Sequence, residues 1–135
     1  MKKSNKKILI FQSGEPTHYE ELYKPMRLVN LTNYLIDRGH KVIAMTPLFF
    51  HREKKFRSTE KLVSFKNQVE YKFIKSTGYS KNISISRVID HIILAYNLSK
   101  EIKNLKKIDL AFIGFPPIET SYVLARWCKK RNIPY

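Results

Sequence analysis

Apolar positions along this 135-residue chain fall into short blocks, separated by polar stretches that carry most of the glycine and proline. Lys7–Phe11 is a compact apolar run with polar flanks, the pattern of a buried strand. Pro25 then opens a segment in which Leu28, Leu31 and Leu35 recur at helical spacing, and Gly39 supplies a stop. Val42–Met45 is a second β-type run, so the chain up to Met45 reads as a βαβ unit. Beyond it, Pro47 to Lys66 reads as basic and irregular. Val69, Tyr71 and Phe73 alternate with other residues and predict a third strand over Val69–Ile74. After the polar loop "STGYSKN", the residues Ile85, Val88, Ile89, Ile92, Ile93 and Tyr96 mark a long amphipathic helix from Ser84 to Leu105. Ile108–Ile113 is a fourth strand. Ile118–Arg131 is a further helix, with Tyr122, Ala125 and Trp127 expected to face inward, and "NIPY" reads as the entry to another strand.

Strands that alternate with helices imply an α/β fold, here a Rossmann-like parallel sheet with helices on both faces. In such sheets ligands bind beyond the carboxyl ends of the strands. Three loops gather there: Gln12 to Lys24, Pro47 to Lys66, and Gly114 to Pro117. Gly114 permits a tight exit from the fourth strand. Pro116 and Pro117 stiffen that exit and start a helix whose free N–H groups point at the cleft.

Charge narrows the partners. With 26 Lys and Arg against 11 Asp and Glu, the net charge is +15, which either attracts nucleic acid, anionic lipid or phosphorylated substrates or reflects a Lys- and Ile-rich composition with solvated basic faces. Clusters lie at Lys2, Lys3, Lys6 and Lys7, at Arg52 to Lys66, at Lys100 to Lys107 and at Lys129 to Arg131. No apolar run is long enough to span a bilayer. Gln12, Ser13 and Gly14 cut the first apolar run too short for a signal peptide. The single Cys128 cannot form an internal disulfide, which fits a reducing, cytoplasmic setting.

The loops carry limited chemistry. The first strand is not followed by GxGxxG, by GxxxxGK[ST] or by paired acids, which argues against a dinucleotide site, a P-loop NTPase and a phospho-receiver. It is followed by Gly14, Glu15 and His18. Glu15 could accept hydrogen bonds from sugar hydroxyls, and His18 could do the same or move a proton; both could equally be ordinary loop residues. His51, Lys54, Lys55 and Arg57 interleave with Phe49, Phe50 and Phe56. That mixture suits a phosphate-bearing or lipid-linked ligand, or single-stranded nucleic acid, unless the rings tuck into the core. His40 and His91 read as structural, and no His, Cys, Asp or Glu cluster has metal-ligand spacing.

Five segments together resemble the N-terminal half of a family 4 glycosyltransferase of the retaining GT-B type, common in bacterial cell-surface polysaccharide synthesis. They are "GEPTH", "PMRLVNLTNYLIDRGHKV", "FFHREKKFR", "GYSKNISISRVIDH" and "AFIGFPPIETSYVLARW". The resemblance implies a two-domain enzyme whose N-terminal domain binds the acceptor and whose C-terminal domain binds a nucleotide sugar. It implies no metal or other cofactor, the nucleotide sugar being a co-substrate. On this likeness Gly14, Glu15, His18, Arg27, His51, Lys55, Arg57, Pro116, Pro117 and Glu119 lie on the cleft side. Many relatives carry a Gly-Gly pair before the first helix; this chain has "YEELYKP".

The sequence therefore leads us to expect residues 1–135 to be a partial acceptor-side domain, with the donor-binding domain lying beyond Tyr135. The complete enzyme would pass a sugar to a saccharide or lipid-linked acceptor, peripherally at an anionic membrane surface, and the fragment alone would be inactive. Two other classes compete. A small basic nucleic-acid-binding protein fits the charge but lacks any RRM, KH, helix-turn-helix or zinc pattern. A non-catalytic remnant or subunit would need a donor-domain partner.

Overall fold

The computed structural model describes residues 5–58 and 63–135; Lys2, Lys3 and Lys61 of the basic clusters lie outside them. Among the described residues, seven strands and three helices follow in the order β1 (Lys7–Phe11), α1 (Arg27–Asp37), β2 (Lys41–Pro47), β3 (Phe49–Phe50), β4 (Lys55–Phe56), β5 (Val63–Lys66), β6 (Val69–Ile74), α2 (Ile85–Lys103), β7 (Leu110–Ile113) and α3 (Ile118–Lys130). Five strands form one sheet, β5-β6-β2-β1-β7. β6, β2, β1 and β7 run parallel, while β5 pairs antiparallel with β6. The α/β class is as the sequence leads one to expect. The sheet is mixed rather than wholly parallel, because a hairpin through Asn67 and Gln68, both at positive φ, adds β5 at one edge.

Side-chain alternation explains why β1 reads as a continuous apolar run. Ile8 and Ile10 point to one face, where they join Leu28 and Leu35 of α1 with Val42, Val69, Tyr71 and Phe73. Leu9 and Phe11 point to the other, where they meet Leu94, Leu98 and Ile102 of α2 and Leu124, Trp127 and Cys128 of α3. A strand covered on both sides needs apolar residues at every position. Each large side chain buried in this way contributes roughly 1.5–3 kcal/mol against solvent exposure.

Helix ends follow the sequence less closely than helix bodies. Gly39 takes φ +81° just past α1, and its N–H donates to the Ile36 carbonyl at 2.7 Å, closing the helix as expected. Pro25 lies outside the helix rather than in its first turn, and Met26 at the N-cap offers no side-chain acceptor. The stripe that marks α2 in the sequence faces outward: Ile85 is 80% exposed, and Val88, Ile89, Ile92 and Tyr96 are exposed as well. The buried stripe is Asp90, Leu94, Leu98 and Ile102, so the first two turns of α2 run past the apolar core. On α3, Tyr122 is exposed and the inward seam is Thr120, Leu124, Trp127 and Cys128.

The chain steps outward from β1 to β2 to β6, and then α2 returns across the sheet to β7 on the far side of β1. Strand order therefore reverses between β1 and its two neighbours. That reversal opens the carboxyl edge, because the loops after β1 and β7 leave in opposite directions. After α3, the Pro134 carbonyl accepts the Ala111 N–H at 3.0 Å, so the segment that follows α3 lies alongside β7.

Candidate functional site

At the switch point β1 and β7 end in close contact. The Gly114 N–H donates to the Phe11 carbonyl at 2.7 Å. A Cβ on Gly114 would come within 2.7 Å of that same carbonyl oxygen and would collide with the Gln12 amide. Glycine is required here by close approach, not by a special backbone angle. The Phe115–Pro116 and Pro116–Pro117 peptide bonds are both cis, Pro116 is exposed and Pro117 buried, and Pro117 is the N-cap of α3. Thr120 and Ser121 hydroxyls both donate to the Pro117 carbonyl, at 2.9 Å each. Beside this turn, Gln12, Arg27, Leu31, Gly114 and Phe115 line a concavity of about 380 Å³. Arg27 is 74% exposed at the start of α1, so it can present its charge here.

The loop after β1 turns inward. Gly14 takes φ +75°, a conformation that favours glycine, and the chain then buries Glu15, Thr17 and His18. Glu15 Oε1 accepts from Arg27 Nε at 2.7 Å and Oε2 from the Leu28 N–H at 2.9 Å. Its carboxylate thus supplies the cap that Met26 lacks. His18 Nε2 donates to Asn33 Oδ1 at 2.8 Å, while Nδ1 accepts from the Tyr71 hydroxyl at 2.5 Å. Burial pushes the Tyr71 phenol up to about 12, which keeps it a donor. Arg57 is equally committed: Nε meets Glu20 at 2.6 Å, and the two terminal nitrogens reach the Glu15 and Pro47 carbonyls. Glu15, His18 and Arg57 are therefore three struts that tie the first loop to α1, β6 and the β2–β5 segment.

Among the described residues Lys55 makes no such strut. It is exposed on β4 and lines a concavity of about 620 Å³ with Tyr19, Tyr23, Phe50, Glu53 and Phe73, which Glu20 and Arg57 also border. Phe49 and Phe50 are buried and Phe56 is half-exposed, so of the three rings interleaved with His51, Lys54, Lys55 and Arg57 two face inward.

A third region forms at the start of α2 around Tyr79. His51 Nδ1 accepts from the Tyr79 hydroxyl at 2.6 Å. Lys54 Nζ approaches the same nitrogen at 2.9 Å and lies 4.5 Å from the Tyr79 ring centroid. It also donates to Asn82 Oδ1, while Arg87 donates to the Asn82 carbonyl at 2.8 Å. His91 adds an edge-on ring to Tyr79 and faces Glu119 of α3 at 3.8 Å. Partial burial, reinforced by Lys54, Arg87, His91 and Arg52, holds His51 below the ordinary histidine range. Burial does the same to His91, against the pull of Glu119. Burial also raises the Tyr79 phenol, while Arg87 opposes that shift.

The fold thus splits the ten sequence-predicted residues. Arg27, Pro116 and Pro117 border the switch point. His51 and Glu119 join the Tyr79 cluster, Lys55 and Arg57 share a concavity beside β4, and Glu15 and His18, with Arg57 again, support the loop that Gly14 turns. Sequence reasoning did not assign site roles to Tyr79, Asn82 or Arg87. Their signal was the stretch "GYSKNISISR", in which a polar aromatic loop runs into the Ser84 N-cap. Among the described residues no group of three or more His, Cys, Asp or Glu could hold a metal ion, and no helix is long and apolar enough to cross a membrane. No protein-family model, curated protein or solved structure matches the chain.

Proposed function

We propose that the chain is the acceptor-side part of a retaining glycosyltransferase with a GT-B architecture. Its donor site would lie on a second Rossmann-like domain, in the same chain or in a partner. The observation that carries this reading is the switch point itself: the Phe11–Gly114 crossing leaves a concavity framed by Arg27 and the Phe115–Pro117 turn, next to the N-termini of α1 and α3. The α3 N-terminus, which has no side-chain cap, and the exposed Arg27 guanidinium, which bonds Glu15 through Nε only, favour anionic or hydroxyl-rich ligands. The five motif segments that resemble the family fall on the loops of this edge and on the helices that follow them.

In the reaction an acceptor hydroxyl oxygen bonds to the anomeric carbon as the bond from that carbon to the nucleotide phosphate breaks. The hydroxyl proton leaves to the departing phosphate or to water. This side of the cleft would orient the acceptor, and most of the charge stabilising the phosphate would come from the donor side. The acceptor would be a saccharide on a lipid carrier, met by a peripheral protein at an anionic membrane surface. The test is the pool of lipid-linked saccharides in host cells, read by mass spectrometry. Deleting the chain should accumulate a species one sugar short. An unaltered profile would contradict the reading.

A further inference from the structure

Two features meet where the β3–β4 turn lies beside the first turns of α2. One is cationic: among the described residues neither Lys54 nor Arg87 pairs with a carboxylate, and Arg87 Nε is buried with no partner. The nearby acids do not cancel them. Asp90 is buried and accepts the Gly78 N–H at 2.6 Å, and Glu119 faces His91. The other feature is apolar: Ile83 is 95% exposed, and Ile85 and Val88 are exposed beside it. Arg87 and His91 line one open groove of about 610 Å³ with Ile83, Ile85 and Val88, and Lys54 borders it through Asn82, a lining residue to which both Lys54 and Arg87 donate.

We infer that this groove binds a lipid phosphate, with the phosphate between Lys54 and Arg87 and the apolar chain laid along Ile85, Val88 and Ile92. The head group gains charge-assisted hydrogen bonds from two cations and from the orphan N–H groups of the α2 first turn. The tail follows a continuous ridge, since Ile85, Val88, Ile92 and Tyr96 recur at helical spacing on one exposed face. From Ile85 to Tyr96 that ridge runs about 16 Å at 1.5 Å per residue, roughly the length of an extended twelve-carbon chain. A free phosphate would leave the ridge bare, and a neutral lipid would leave two cations unmatched. The inference rests on the acceptor-side reading only for its source, the carrier of the acceptor saccharide.

Dodecyl phosphate, kept below its micellar concentration, is the probe, with inorganic phosphate and dodecyl maltoside as half-ligands and phosphatidylglycerol vesicles as a bilayer control. Titration calorimetry should show saturable dodecyl phosphate binding at least about tenfold tighter than either half-ligand. Lys54→Ala with Arg87→Ala, and separately Ile85→Ser with Val88→Ser, should each weaken it by about tenfold or more. Circular dichroism of both variants checks that the fold stays intact at the exposed Ile85 and Val88 and at the half-buried Lys54 and Arg87. Equal affinity for inorganic phosphate, equal affinity in the variants, or adsorption to vesicles without saturable dodecyl phosphate binding would overturn the inference. If the site fails while the lipid-linked saccharide profile still shifts on deletion, the transfer reading stands and its carrier binds elsewhere. If dodecyl phosphate binds and the profile is unchanged, the site stands and the transfer reading falls.

Discussion

The Glu15 carboxylate caps a helix that begins well beyond it in sequence, accepting the Leu28 N–H at 2.9 Å while holding Arg27 at 2.7 Å. Position in a loop at the sheet edge would make Glu15 look like a ligand residue; burial to 3% exposure and two occupied oxygens make it a strut. Glu15→Ala should cost about 1–3 kcal/mol, because it leaves a buried backbone donor unpaired. Arg27→Ala removes an exposed partner and should cost under about 1 kcal/mol. Urea denaturation of both variants checks the contrast, and equal midpoints for the two would contradict it.

Arg57 should be the more severe loss. Its guanidinium is buried against Glu20, and two backbone carbonyls complete its donors. Arg57→Ala leaves the Glu20 carboxylate without its cation, a change that typically costs about 3–5 kcal/mol. Arg57→Lys keeps the charge but cannot reach all three partners, so an intermediate stability is expected. Guanidinium unfolding reads both, and a wild-type midpoint in Arg57→Ala would refute the role.

Gly114→Ala tests the crossing at the switch point. The added Cβ meets the Phe11 carbonyl oxygen, a backbone atom, as well as the Gln12 side chain. Gln12 can swing away but Phe11 cannot, so Gln12→Ala should rescue Gly114→Ala only in part. The expected cost is about 1–3 kcal/mol for forcing extra volume into a packed contact. Full rescue in the double variant, seen by thermal melting, would show that only the side chain matters.

Protonation should also act through the Tyr79 cluster. His51 and His91 are both held below the ordinary histidine value, mainly by burial. The unfolded chain then takes up protons first as pH falls. Stability from these rings is full above the unfolded value of about 6.5 and is lost as pH drops through their lower folded values. The melting temperature should fall between roughly pH 7.5 and 5.5, and a His51→Gln, His91→Gln variant should flatten that slope. An unchanged slope in the double variant would place the titration elsewhere.

Much of this fold is legible in the sequence because buried strands and periodic helices carry strong patterns. β1 and β6 match their expected spans residue for residue: β1 is apolar from Ile8 to Phe11 because both its faces are covered, and β6 alternates buried Val69, Tyr71 and Phe73 with half-exposed Glu70 and Lys72. β5 is hidden for the opposite reason. It is a four-residue edge strand whose Val63 and Phe65 are exposed, so no burial pattern marks it. Asn67 was the available turn signal, but Gln68 fills the second left-handed position where glycine is usual. The site was less legible than the fold. Sequence spacing cannot tell a buried carboxylate that caps a distant helix from one that faces a ligand. Nor can it say which of two apolar stripes on α2 meets the core. Leu94, Leu98 and Ile102 win because they pack with Ile74 of β6 and with Leu124 and Trp127 of α3, while the first turns of the helix run past the core.

The central claim is sugar transfer to a lipid-linked acceptor, and the most direct measurement is incorporation of radiolabel from nucleotide sugars into organic-extractable glycolipid. Lysates with membranes are prepared from host cells that carry the chain, lack it, or lack it and express it again. The account expects one donor whose label enters glycolipid with the chain, is lost without it, and returns on re-expression. In the product the anomeric configuration of the donor should be retained. Identical incorporation with and without the chain, for every donor tried, would contradict the account.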